Sequence, residues 1–125
     1  MSRLACLPLQ RYRPGTPEAT PGDRQVKEPI VVAVDQDIVD LTENFLRNRR
    51  DEAPHARAAV ATRDLRALRH IGHALKGTAG SFGFYDLSAI GADLEGAALA
   101  GDLAGATDSV ERMFALLARL RVVPC

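Results

Sequence analysis

This chain contains few cysteines and few aromatic residues, and its formal net charge is zero. Its two cysteines, Cys6 and Cys125, stand near opposite ends of the 125 residues, so they make no disulfide framework, and we expect free thiols in a reducing cytoplasm. Sixteen basic and sixteen acidic residues cancel, which argues against nucleic acid or an anionic membrane as a partner. No apolar run approaches the ~20 residues that a membrane-spanning helix needs, and the beginning of the chain lacks the apolar core of a secretory signal.

Proline is not scarce, but most of it lies at one end of the chain. Five of the seven prolines fall within residues 1–29, which show no apolar period, so a flexible tail is predicted there. Residues 30–125 suffice for one domain with a buried core, since 46% of the chain is hydrophobic and 26% is charged. The β-branched run Ile30–Val34 has no second strand pattern to pair with, so no sheet is predicted.

Helical patterns occupy the rest of the chain. Asp35 is a good N-cap for a first helix, which the polar segment 48–51 and Pro54 should break. The apolar face of this helix is formed by Ile38, Leu41, Phe45 and Leu46. A short second helix follows at about 54–61, and Asp64, Asp86 and Asp102 cap three more, the last with an apolar face that ends at Leu120. Short connections make neighbouring helices antiparallel, so we predict an all-α, up-down bundle.

The third predicted helix contains the stretch GHALKGTAGSFGF, which begins at Gly72. At about 100° per residue, its apolar side chains cluster on one side, and His73 lies roughly 150° from the centre of that cluster, in solvent. Lys76, Gly77 and Gly80 are its neighbours on the C-terminal side. Each helical glycine costs about 1 kcal/mol relative to alanine. The glycines could leave space for another macromolecule to reach the ring, which would explain their cost. A tight helix crossing explains it less well, because that should place the glycines on the apolar side.

An exposed histidine beside a lysine suits phosphoryl chemistry. An ordinary imidazole has a pKa near 6.5, so at neutral pH a large fraction carries a nucleophilic lone pair. A phosphoryl group on that nitrogen would be stabilised by a neighbouring ammonium and would stay open to in-line attack by a partner. His73 is therefore a candidate nucleophile, and Lys76 is its candidate electrostatic support.

These residues resemble a known signature. The run from His73 to Gly83, HALKGTAGSFG, is similar to the H-x-x-K-G-x-x-G-x-x-G motif of histidine-containing phosphotransfer (HPt) domains. The flanking segments 63–72 and 94–102 also resemble the family, and the likeness covers roughly residues 35–121. The chain departs from the family pattern at Arg63, where many members have glycine, and at Pro54, early in the second predicted helix.

The resemblance implies a four-helix bundle with an additional short N-terminal helix. It also implies a relay of phosphoryl groups between receiver-domain aspartates of response regulators and His73, in a multistep two-component pathway fed by a hybrid histidine kinase. By the same likeness Lys76 supports the charge, Gly77 leaves the imidazole accessible, and Gly80 and Gly83 end the helix and shape the turn. The candidates for the receiver contact surface are Arg66, Arg69, His70, Gly80 and Phe45.

Several further expectations follow for such a carrier. The chain should have no kinase activity of its own and no cofactor, because Mg²⁺ would be held by the acidic pocket of the partner receiver domain. We also expect a cytoplasmic monomer that binds neither nucleic acid nor membrane.

Three alternatives to this hypothesis can be weighed on the sequence. Gly72-x-x-x-x-Gly77-Thr78 nearly matches the phosphate-binding loop of a nucleotide-dependent kinase, but the lysine precedes the second glycine and no strand leads in. His70 and His73 could share a helix face as metal ligands, yet no carboxylate or cysteine at helical spacing completes a set, so no metal site is expected. A non-catalytic interaction or scaffold bundle stays open, because it needs an accessible surface but no reactive histidine.

Overall fold

Helices dominate residues 28–124, the part of the chain that the computed structural model describes. The elements in chain order are β1 (Ile30–Val34), a 3₁₀ turn (Gln36–Ile38), α1 (Val39–Ala61), α2 (Leu65–Ser81), α3 (Tyr85–Leu99), α4 (Leu103–Arg119) and β2 (Leu120–Pro124). Both cysteines and nearly all of the predicted tail lie outside the described residues. The structure is thus mostly helical with four α-helices, as the sequence predicts in outline.

Helix α1 corrects the prediction of two helices in the same segment. It runs without interruption from Val39 to Ala61 and contains Pro54, which was expected to break it. A proline inside a helix costs about 3 kcal/mol. The buried alanines on both sides of Pro54, Ala53 and Ala56, show what offsets that cost: tertiary burial of one helix face overrides local propensity. The additional N-terminal helix is therefore not a separate element among the described residues.

The first of two compact units contains the described residues 28–45 and 118–124. Here the structure contradicts the prediction that Ile30–Val34 has no partner, because β1 and β2 form a parallel pair in which Ile30 aligns with Leu120 and Val34 with Pro124. Leu120 begins β2 and is not part of the last helix. Alternate residues of β1 are buried (Ile30, Val32 and Val34). The sequence hides this pairing because the strands are separated by about 90 residues and each is short.

The beginning of α1 belongs to the same unit and shows a second difference. Phe45 is buried as expected, but Leu41 is 59% exposed and Ile38 is 39% exposed. The buried residue beside Phe45 is instead Thr42, whose hydroxyl donates to the carbonyl oxygen of Ile38 at 2.8 Å. Two of the four residues predicted for the apolar face, Phe45 and Leu46, are therefore buried. The earlier part of the predicted face is wrong, because a threonine that bonds its own backbone can be buried at little cost and takes an inner position there.

The second unit comprises residues 46–117 and contains all of α2 and α3. Its buried apolar side chains come from all four helices and include Leu46, Ala56, Leu68, Leu75, Leu87, Leu94, Val110 and Met113. Helices α1 and α4 contact each other in opposite chain order, so that a later residue of α1 meets an earlier residue of α4. Across α1 and α4, the Arg57 guanidinium contacts Glu111 at 2.6 Å and Arg50 donates to the carbonyl oxygen of Leu117 at 2.9 Å.

The helix ends test the predicted caps. The Asp64 carboxylate accepts a hydrogen bond from the backbone N–H of Ala67 at 3.0 Å, and Asp102 does the same for Gly105 at 2.9 Å. Asp86 is not a cap, because α3 begins one residue earlier, at Tyr85. Arg63, where the family pattern has glycine, lies in the left-handed region with φ of 58°.

The strained position of Arg63 leads to a stability prediction. A left-handed conformation costs a side chain roughly 1–2 kcal/mol, whereas glycine adopts it freely but loses more entropy on folding. We expect Arg63→Gly to raise the free energy of unfolding by about 0.5–1 kcal/mol, measured by urea denaturation. Gly101→Ala is the reverse control, since Gly101 has φ of 73°, and it should destabilise the protein. A less stable Arg63→Gly variant would contradict the prediction.

Candidate functional site

Helix α2 presents His73 to solvent. Its inner face is formed by Leu68, Gly72, Leu75 and Ala79, all buried. Because His73 is displaced from that face by the helical period, its side chain is 69% exposed. The predicted orientation of His73 is confirmed.

A carboxylate from the neighbouring helix binds both His73 and Lys76. Glu95 of α3 places Oε2 at 2.9 Å from Nδ1 of His73 and Oε1 at 2.8 Å from Nζ of Lys76. The Glu95 side chain is only 17% exposed, whereas Lys76 is 44% exposed. The site is therefore a three-residue cluster in which one carboxylate joins two groups that lie one turn apart on α2.

The charges of this cluster determine the state of the imidazole. The hydrogen bond from Lys76, followed by the bond from His73, lowers the pKa of Glu95 below its ordinary value. Glu95 is consequently ionised at neutral pH, and a carboxylate can only accept hydrogen bonds. Nδ1 of His73 must then be the donor, so the proton of the neutral ring sits on Nδ1 and Nε2 carries the lone pair. The stabilisation that the ionised Glu95 carboxylate gives through its bonds to Lys76 and His73 is fully present above the ordinary carboxyl pKa and is lost as the pH falls through the lowered pKa of Glu95.

The glycines after His73 have different surroundings. A Cβ built on Gly77 would have no atom within 4 Å, so no packing contact explains the absence of a side chain there. A Cβ on Gly80 would lie 3.4 Å from Oγ of Ser88, which is ordinary contact with α3. Gly83 has φ of 84° in the turn between the helices. Of the two helical glycines that follow His73, Gly77 therefore faces open space, and Gly80 lies against α3.

Of the five residues predicted for partner contact, Gly80 is half-buried, and the other four fall into two groups. Arg66, Arg69 and His70 are exposed on α2, the helix that carries His73. No ion pair within residues 28–124 involves either arginine. Phe45 is only 7% exposed and belongs to the other compact unit. Its assignment to a contact surface is therefore corrected, because a buried ring offers a partner almost no area.

Three residues of α3 were not singled out from the sequence. They are Glu95, Ser88, whose hydroxyl donates to the carbonyl oxygen of Lys76 at 2.8 Å, and Gly91, which lies against the backbone of α2. A helical wheel shows which residues leave the apolar face but not which neighbouring helix they meet. The available signal was the spacing of Ser88, Gly91 and Glu95, which places them on one side of α3.

The described part of the chain also bears on metal binding and on membrane insertion. Among residues 28–124, no group of three or more histidine, cysteine, aspartate or glutamate side chains is arranged to hold a metal ion. Within the same range no helix combines the length and apolar character required to cross a lipid bilayer.

The site and its helices define a helical domain with an exposed, carboxylate-bound histidine. The family model described as Hpt domain matches residues 40–122, and this chain belongs to the Hpt domain family. No curated protein and no solved structure matches the chain. Hpt domains are phosphocarrier modules of two-component systems, in which a histidine is phosphorylated and partners are receiver domains and histidine kinases.

Proposed function

We propose that this chain relays phosphoryl groups between the aspartate of a response-regulator receiver domain and His73, in a multistep pathway that a hybrid histidine kinase supplies. The observation that carries the proposal is the exposed imidazole whose Nδ1 is bound to an ionised Glu95, with Lys76 at the same carboxylate. Such a ring offers a lone pair at Nε2, while Gly77 leaves the space beside it open. The family membership supports the same reaction class.

The proposed step balances without any proton leaving the ring. Nε2 attacks the phosphorus of an aspartyl phosphate, the N–P bond forms, the P–O bond to the aspartate breaks, and the receiver carboxylate departs. The imidazole retains its Nδ1 proton and becomes cationic, and Glu95 stabilises that charge through the hydrogen bond. In the reverse direction a receiver carboxylate attacks the phosphorus, the N–P bond breaks, and the ring leaves as neutral imidazole with the electron pair back on Nε2. The ammonium group of Lys76, which binds the same carboxylate as the ring, would attract the negative phosphoryl oxygens.

The partner's contribution to the reaction follows from what this site contains. Within the described residues the cluster around His73 has one carboxylate, and both of its oxygens are engaged. We therefore expect Mg²⁺, and the carboxylates that hold it, to belong to the receiver domain. We expect no kinase activity and no cofactor in this chain. The cationic side chains of Arg66 and Arg69 suit an acidic partner surface.

The proposed architecture is an antiparallel, up-down four-helix bundle that acts as a cytoplasmic monomer. The reversed order of contacts between α2 and α3 supports it: the backbone at Gly72 meets Glu95, and Gly80 meets Ser88. A proline-rich tail at residues 1–29 would precede the bundle.

A labelling experiment tests the proposed function. The purified chain is incubated with receiver domains that carry a labelled aspartyl phosphate, and separately with phosphoramidate, a small donor that needs no docking. We expect label that is stable in base and labile in acid, as a phosphohistidine is. If neither the receivers nor the small donor label the chain, the relay is wrong and the scaffold alternative replaces it.

Lys76 should affect the rate of transfer but not its occurrence. Lys76→Ala removes one charge-assisted interaction with the phosphoryl group, so we expect transfer from a receiver to slow by on the order of tenfold. The rate is measured by following loss of label from the receiver under single-turnover conditions. Lys76→Arg, which keeps the charge, should retain most of the rate. A rate for Lys76→Ala equal to that of the unmodified chain would refute this role.

A further inference from the structure

The backbones of α2 and α3 touch at two glycines. A Cβ built on Gly72 would lie 2.6 Å from the backbone nitrogen of Glu95 and 2.8 Å from the carbonyl oxygen of Gly91. A Cβ built on Gly91 would lie 2.6 Å from the backbone nitrogen of Lys76 and 2.9 Å from the carbonyl oxygen of Gly72. Real Cβ atoms do not approach backbone this closely, so any side chain at either position would force the helices apart. Both glycines are buried.

This crossing involves the same residues as the reactive cluster. Gly72 directly precedes His73 on α2, and the backbone that it contacts on α3 is that of Glu95. Gly91 lies one turn before Glu95 and meets the backbone of Lys76. The three side chains therefore project from the segments that the glycines bring into contact. Distances of 2.9 and 2.8 Å to two groups on another helix require the backbone of Glu95 to be held close to α2.

We propose that Gly72 and Gly91 are positioning residues for phosphoryl transfer. By allowing backbone contact, they hold Glu95 within reach of both His73 and Lys76, and thereby keep the ring proton on Nδ1 and the lone pair on Nε2. The inference rests on the proposed function for its effect on rate, but its effect on the imidazole can be measured without any phosphorylation. It assigns a role to α3 that the motif on α2 does not contain.

The test compares Gly91→Ala with Glu95→Gln. Nitrogen-15 NMR of the imidazoles at about pH 8 reports which ring nitrogen is protonated, and the histidines His55 and His70 serve as internal references. We expect both variants to shift the His73 signals away from the Nδ1–H form. We also expect both to slow phosphorylation by phosphoramidate on the order of tenfold, the value of one charge-assisted hydrogen bond.

A double variant separates positioning from simple loss of packing. If Gly91 acts through Glu95, then Gly91→Ala combined with Glu95→Gln should be no slower than Glu95→Gln alone. If the two factors multiply, or if Gly91→Ala leaves the NMR signals of His73 unchanged, the proposal is overturned. Gly96→Ala is the matched control on α3, because a Cβ there would have no atom within 4 Å, and it should change neither readout.

Glu95→Asp keeps the proposal testable if Gly91→Ala does not fold. This change preserves the glycines and the charge but shortens the side chain by one methylene. We expect the Nδ1–H signature to be lost as in Glu95→Gln, because the reach that the crossing provides is then insufficient. An Asp variant with unchanged NMR signals and rate would overturn the proposal. If the signals of the variants change as expected but no donor phosphorylates His73, the proposed function fails and the positioning role stands.

Discussion

His73→Gln is expected to abolish phosphorylation of this chain by every donor. Glutamine keeps a polar, hydrogen-bonding side chain of similar reach but has no nitrogen lone pair that can attack phosphorus. Because the side chain at position 73 is 69% exposed, its replacement changes the bond to Glu95 but removes no packing from the apolar core, and the helical circular dichroism spectrum should be retained. The measurement is the acid-labile, base-stable label after incubation with phosphorylated receivers and with phosphoramidate.

The control for this loss is another exposed histidine. His55 lies on α1 and is exposed, so His55→Gln tests whether any accessible imidazole would accept the label. We expect His55→Gln to be phosphorylated at the normal rate and to the same extent. Stoichiometric label on His73→Gln would place the phosphoacceptor elsewhere and would refute the assignment of His73.

Gly77→Phe should block transfer from a receiver domain while leaving the small-donor reaction largely intact. A Cβ at this position meets nothing within 4 Å, so a large side chain can be accommodated by the fold and would stand beside the imidazole, where the partner must approach. Loss of close docking for in-line transfer should lower the receiver reaction by about 100-fold or more. The free energy of unfolding should not fall, because phenylalanine is a better helix former than glycine.

Two further variants serve as controls for the Gly77→Phe prediction. Gly77→Ala should be more stable than the unmodified chain by up to about 1 kcal/mol and should transfer at a rate between the two extremes. Ala115→Phe, at an exposed position on α4, adds the same bulk on another helix and should leave transfer unchanged. An unfolded Gly77→Phe variant would favour a packing role for this glycine, and normal transfer by a folded one would disprove the access role.

Most of the local structure could be read from the sequence, and the exceptions share a cause. Asp64 and Asp102 cap the helices as their positions predict. The break at Pro54 was wrong because burial of Ala53 and Ala56 outweighs the local cost of the proline. The strand pair was missed because each strand is short and is stabilised only by pairing with the other, which is distant in sequence.

The features of the candidate site likewise separate into those that one helix determines and those that depend on contact between helices. The sequence by itself determined the exposure of His73, the presence of Lys76 one turn later and the glycine at position 77, because these depend on the period of a single helix. Only the tertiary structure decided that Glu95 joins His73 to Lys76 and that Gly72 and Gly91 let two backbones touch. The physical reason is that a helical period specifies directions around one axis, whereas contact between two helices depends on their separation and register, which the packing of the whole unit sets.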